Sequence, residues 1–222
     1  MASSEDELEA ELSFALSRAE RIARAAGFIA IQARRAGIES IVVTGGAAVV
    51  LATGRDFATL DIDLITPDAE RLDAVFADLG FTRRNPLQHI WSHPRLGVAA
   101  QVPASFLPRH SATQEVEAPN GSAVTVWSTT DLVLDRLAQA VFGGAPDRLD
   151  QALALRLVAG EEFELKRAGE RASDDGPQMT QALDAFLRLY TVLGTDGPED
   201  AGAADEATQA FWSEVDSLGL RQ

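Results

Sequence analysis

Residues 41–65 read IVVTGGAAVVLATGRDFATLDIDLI. The stretch parses as a buried β-branched run over 38–44 closed by Gly45-Gly46, then a short apolar helix over AAVVLAT that stops at Gly54. A second strand follows at 60–65. Successive strand residues point to opposite faces, so Leu60, Ile62 and Leu64 share one face and Asp61 and Asp63 the other. Residues two apart in a strand are separated by about 6.5–7 Å, so the two carboxylates are neighbours. Adjacent carboxylates repel unless a cation stands between them, and oxygen ligands of this kind suit Mg²⁺ or Mn²⁺ carried with nucleotide phosphates. Gly45-Gly46 lets a phosphate approach the backbone at a helix start, where free amides and the helix dipole favour an anion. Taken singly, a Gly-Gly turn and an Asp-x-Asp are ordinary. Their order and spacing together supply the two halves of a site for a metal-bound triphosphate.

Working outward, residues 4–36 carry apolar positions at helical spacing and read as one long helix, with Ser4 and Glu7 as a capping box, a possible break at Gly27 and a stop at Gly37. Thr66 and Pro67 open a predicted helix over 67–79. Strands are expected near 81–84, 88–92, 97–102, 114–117 and 123–127, the last two joined by an Asn120-Gly121 hairpin. Beyond Trp127 the period is helical, with helices expected at 129–142, 147–158, 161–173 and 178–193. The small, acidic stretch 195–207 reads as a linker before a last helix over 207–218 that carries Phe211 and Trp212. The expected fold class is α/β (α+β), a mixed twisted sheet flanked by helices. The organisation is an N-terminal helix (1–36), a core (37–128), a helical segment (129–194) and a linker with a terminal helix (195–222).

Composition narrows the function. The chain has 222 residues, 46% hydrophobic and 24% charged, an ordinary globular balance. It has no Cys, which excludes disulfide scaffolds, thiolate zinc sites and cysteine nucleophiles. The 34 acidic and 19 basic residues give a net charge of −15, which disfavours extended nucleic-acid binding. No run is long and apolar enough for a bilayer span, and the acidic N-terminus lacks the basic start of a secretory signal. A cytoplasmic protein with no membrane partner is therefore expected.

The 41–65 segment resembles the signature of the polymerase-β-like nucleotidyltransferase superfamily. The likeness is to small bacterial members, among them abortive-infection toxins of toxin–antitoxin pairs and antibiotic nucleotidyltransferases. The shared form is Gly-Gly-x-Ala, then Gly-Arg, then Thr-x-Asp-Ile-Asp-Leu. Here these are Gly45-Gly46-Ala47-Ala48, Gly54-Arg55 and Thr59-Leu60-Asp61-Ile62-Asp63-Leu64. A weaker echo runs through Ser128-Thr129-Thr130-Asp131-Leu132, Arg136, Asp147 and Asp150. The resemblance implies Mg²⁺-dependent transfer of NMP from an NTP to a hydroxyl of a protein, a tRNA end or a small molecule. Asp61 and Asp63 would be catalytic and metal-binding residues, Thr44, Gly45 and Gly46 would cradle phosphates, and Arg55 would neutralise phosphate charge. A protein partner such as an antitoxin is also implied.

Two positions depart from the pattern. Gln101, in the predicted strand 97–102, stands where a third carboxylate is expected, and glutamine is neither a base nor a strong ligand. Glu115 and Glu117 are the nearest later carboxylates. Phe57 stands where relatives often carry Arg. These departures favour an alternative, a catalytically silent nucleotide-binding or interaction protein on the same fold. Other polar groups read as structural. His89 and His93 on a strand lie roughly 13 Å apart, too far to share an ion. Arg83, Arg84 and Arg95 read as a solvated strand edge.

Overall fold

A computed structural model describes residues 3–59, 61–83, 85, 88–194 and 201–220. Leu60 of the predicted second strand, Arg84, and residues 195–200 of the predicted linker lie outside the described residues. The chain divides into two compact units. One is Met1–Pro108 with Ala112–Ser128, and the other is Arg109–Ser111 with Thr129–Gln222.

The first unit runs α1 (Ser4–Leu12), α2 (Arg18–Arg35), β1 (Val42–Thr44), α3 (Gly45–Thr53), β2 (Asp61–Ile65), α4 (Leu72–Asp78), β3 (Thr82–Arg83), β4 (Ile90–Ser92), β5 (Ala99–Ala104), β6 (Thr113–Glu117) and β7 (Ala123–Trp127). The strands form one mixed sheet in the order β3-β4-β5-β2-β1-β7-β6. β2 is central, antiparallel to β1 and parallel to β5. Ile62 and Leu64 are fully buried while Asp61 and Asp63 are half-buried. That alternation pins the register. A one-residue slip would expose both aliphatic side chains, each contributing roughly 1.5–3 kcal/mol when buried, and drive two carboxylates into the core. The Asn120-Gly121 turn joins β6 to β7 as expected, with Gly121 at φ +76°.

Several expectations are corrected. The helix over 4–36 is two helices. The Ser13 hydroxyl bonds back to the Ala10 carbonyl (2.6 Å), and Ser17 starts α2 by accepting the Glu20 amide (3.1 Å). Between them Leu16, placed on the apolar face by its spacing, is 95% exposed. The cap of α1 is Ser3 with Asp6, one residue earlier than Ser4 with Glu7. Gly27 does not break α2. It is buried mid-helix, where a Cβ would lie 2.5 Å from Ser122 Oγ and 2.8 Å from Ala118 Cβ. Residues 67–71 are turns rather than helix, because Thr66 Oγ1 takes the Asp68 amide (3.1 Å) and competes with a helical start. The first strand is confined to Val42–Thr44.

The second unit contains α5 (Thr129–Val141), α6 (Arg148–Ala159), a 3-10 turn (Gly160–Glu162), α7 (Leu165–Asp174), α8 (Pro177–Leu193) and α9 (Ala201–Ser217). Helix α9 begins inside the stretch read as linker. Residues 201–207, AGAADEA, are mostly good helix formers, and the helix gains its docking from Phe211 and Val215, both buried. Asp131 at the start of α5 is buried and ion-paired to Arg167 of α7. Arg156 of α6 lies between the rings of Phe163 (4.6 Å) and Tyr190 (4.2 Å). Among the described residues, no helix is long and apolar enough to cross a membrane.

Candidate functional site

Five of the residues singled out in the sequence come together where β1 ends, α3 begins and β2 passes alongside. Thr44 is the register partner of Asp63 on the antiparallel neighbour. Thr44 is buried and ends β1 without capping α3 through its side chain. The chain then turns sharply at Gly45, which has φ +66°. That conformation and its surroundings both demand glycine, since a Cβ at Gly45 would stand 1.9 Å from Asp63 Oδ2. The Asp63 carboxylate is thus packed directly on the backbone that opens α3. A Cβ at Gly46 would stand 2.5 Å from Thr59 Oγ1. Thr59, buried in the loop that leads back to β2, holds its hydroxyl on the Asp61 carbonyl (3.3 Å). Residue-by-residue reading assigned Thr59 no role. The paired glycine at 46 is the signal that a neighbour approaches the helix start there.

Gln101 completes the cluster. It lies opposite Asp63 in the parallel β2–β5 ladder, and the register shifts immediately beyond, between Asp63 and Ile65. The Gln101 side-chain amide donates to Asp63 Oδ1 (2.6 Å) and lies 3.3 Å from Asp61 Oδ2. At the position where the resemblance implied a third carboxylate, a neutral hydrogen-bond donor therefore stands beside both aspartates. Glu115 and Glu117 are elsewhere, on the edge strand β6, separated from β2 by β1 and β7.

The remaining candidate, Arg55, follows the left-handed Gly54 cap at the opposite end of α3. A nine-residue helix spans about 13 Å, so the backbone of Arg55 is far from Gly45. Arg55 instead lines a cleft of about 520 Å³ with Leu16, Glu20, Asp56 and Glu117. Phe57, the other departure from the family pattern, packs on the small cluster of Ala19, Ala23 and Val50 that joins α2 to α3.

The donor set at 61, 63 and 45–46 fits a hard divalent cation and a phosphate chain. It offers two carboxylates on one strand face, beside the first amides of a nine-residue helix whose opening residues carry no side chain.

Among the described residues, one trio of His, Asp or Glu side chains has ligand atoms within 4.8 Å of one another, and it lies elsewhere, at Glu5, Glu9 and His93. Its chemistry is that of an ion-paired hub. His93 Nδ1 accepts the backbone amides of Arg95 (3.3 Å) and Leu96 (3.2 Å), which places the proton of the neutral ring on Nε2. That protonated atom faces Glu5 Oε1 at 3.6 Å, so no lone pair points at the carboxylates, and Arg95 already bridges Glu5 and Glu9. Burial holds the His93 pKa below its ordinary value, with the neighbouring Glu5 carboxylate acting in the opposite sense. Arg83 is similarly engaged, donating to Asp73 (2.7 Å) and to the Gln88 carbonyl (2.8 Å).

No family model matches the sequence, and no curated protein matches it. Among solved structures, an antigenic nucleotidyltransferase-like protein from Paracoccidioides brasiliensis superposes with a TM-score of 0.50 at 16% identity. The match covers 73% of this chain and 92% of that one. At that identity the likeness establishes the fold alone, and the fold is nucleotidyltransferase-like, as the 41–65 segment implied.

Proposed function

We propose that this nucleotidyltransferase-like fold binds a nucleoside triphosphate with Mg²⁺ or Mn²⁺ and moves its nucleoside monophosphate to a hydroxyl acceptor. The observation that carries the reading is the contact of Gly45 with Asp63. It packs the Asp63 carboxylate, with Asp61 on the same strand face, against a glycine-opened helix start, an arrangement suited to receiving a cation and a phosphate chain side by side. Asp61 and Asp63 would hold the cation, which when bound supplies positive charge to the phosphate oxygens. Gly45 and Gly46 would offer amide donors to the phosphates, and Thr44, buried at the end of β1, would complete the cradle. In the reaction the acceptor oxygen bonds to the α-phosphorus, the bond to the bridging oxygen breaks, pyrophosphate leaves, and the acceptor proton passes to solvent. The net charge of −15 favours a protein or a small cationic acceptor over long nucleic acid. A toxin role would add a cognate antitoxin as partner.

A second reading, nucleotide binding without transfer, is favoured by Gln101, which puts a hydrogen-bond donor where a base would stand. Calorimetry with each of the four NTPs, with and without Mg²⁺, tests the shared premise. Binding that requires the metal and is lost in Asp61→Asn/Asp63→Asn supports it, and no binding by the folded protein overturns it. Transfer of label from α-labelled NTP to an acceptor, with release of unlabelled pyrophosphate, separates the two readings across an acceptor screen.

A further inference from the structure

We infer that Gln101 is an internal counter-group that competes with the divalent cation for Asp61 and Asp63, so that the cation loads together with the triphosphate rather than alone. The inference rests on the reading of the two aspartates as a cation site. One nitrogen, Gln101 Nε2, lies 2.6 Å from Asp63 Oδ1 and 3.3 Å from Asp61 Oδ2. It stands between the carboxylates, which is the place a shared cation takes. A side-chain amide nitrogen carries only donors and cannot face a cation, so the ion enters only when the Gln101 amide turns that nitrogen away. Admitting the ion means giving up hydrogen bonds to ionised acceptors, which are stronger than neutral ones. Two half-buried carboxylates alone offer a divalent ion few ligands in return. Phosphate oxygens held at Gly45 and Gly46 add the missing ones, and their arrival tips the exchange. A third aspartate at this position would act in the opposite direction, raising the negative charge and drawing in metal without nucleotide. The ladder partnership of Asp63 with Gln101 holds the amide at this point, because the side chain is delivered from the adjacent parallel strand.

The test is a Mn²⁺ titration of the full chain, followed by the resonance of free Mn²⁺, with and without a non-hydrolysable NTP analogue. Wild type is expected to bind Mn²⁺ weakly alone and more tightly with the analogue. Gln101→Met, similar in length but without a donor, is expected to bind Mn²⁺ alone about tenfold tighter, the size of one lost hydrogen bond to a charged group. Linkage requires the coupling between metal and nucleotide to shrink correspondingly. Melting in chelator and in Mn²⁺ separates this from a merely structural role. The variant should be less stable than wild type in chelator and gain more from Mn²⁺, whereas a packing defect lowers both melts alike. Gln101→Ser, too short to reach, carries the same expectation should the Met variant not fold. Unchanged or weaker Mn²⁺ binding in the folded variants overturns the inference while leaving the cation site standing. Binding by wild type that persists in Asp61→Asn/Asp63→Asn, or no Mn²⁺ binding even with nucleotide, overturns the site reading and the inference with it.

Discussion

Gly45 and Asp63 are packed so closely that the hydrogen on the Gly45 α-carbon is all the space allows, since a methyl there would overlap Asp63 Oδ2 at 1.9 Å. Gly45→Ala is therefore expected to lose stability on two counts. A left-handed backbone at φ +66° and the overlap each cost on the order of 1–3 kcal/mol. Chemical denaturation should show the loss, and metal-dependent nucleotide binding should fall even under conditions where the variant remains folded, because Asp63 must move to make room.

Gly27→Ala poses a contest of signs. Alanine improves helix propensity by about 1 kcal/mol, while overpacking costs about 1–3 kcal/mol. With Ser122 Oγ, Asn120 Oδ1 and Ala118 Cβ all within 2.8 Å of the added carbon, overpacking wins. The variant is expected to melt lower than wild type, and an equal or higher melting temperature would show that the β6–β7 hairpin yields freely.

His93 gives stability a pH dependence. Its folded pKa lies below the unfolded value because burial disfavours the charged ring. The unfolded chain therefore binds the proton more readily. The contribution is fully present above the ordinary histidine range and is lost as pH falls through the depressed folded pKa. His93→Asn keeps an acceptor near Nδ1 for the Arg95 and Leu96 amides but cannot titrate. Melts between pH 8 and pH 5 should show a steeper acid decline in wild type than in the variant. Parallel curves would remove His93 from the account.

Asp131→Ala leaves Arg167, whose side chain is 14% exposed, without its buried partner. Breaking such a pair from one side costs roughly 3–5 kcal/mol. The expected outcome is a large drop in denaturant midpoint. A change within about 0.5 kcal/mol, the range of an ordinary surface substitution, would mean that Glu164, the other carboxylate on Arg167, suffices.

The carboxylate pair was legible because LDIDLI alternates, and alternation beside a glycine-opened helix allows few alternatives. The hairpin at Asn120-Gly121 was legible for the same local reason, as its turn chemistry is contained in two residues. Strand neighbours were not. Nothing in 99–104 says that it lies beside 61–65, so Gln101 could be noted as a departure from a family pattern but not as the bonding partner of Asp63. The break between α1 and α2 was hidden because Leu12, Leu16 and Ala19 keep helical spacing across it. The Ser17–Glu20 cap that overrides this spacing is itself a recognisable start signal. Gly27 misled in the other direction, since a glycine chosen for close packing looks the same in sequence as one chosen for flexibility. The placement of Arg55 required knowing the length of α3.

Asp63 and Gln101 meet across 38 positions of chain, on parallel strands joined by everything from β2 through β4. Parallel pairing of this span raises contact order, and the loop-closure entropy must be met before the ladder returns any stabilisation. The cluster at 61, 63 and 101 therefore cannot assemble from a local fragment during synthesis. Nascent chains that end before β5 would carry both aspartates and both glycines yet lack the strand that delivers the amide, so the hydrogen-bonded cluster forms only once the middle of the sheet has been made.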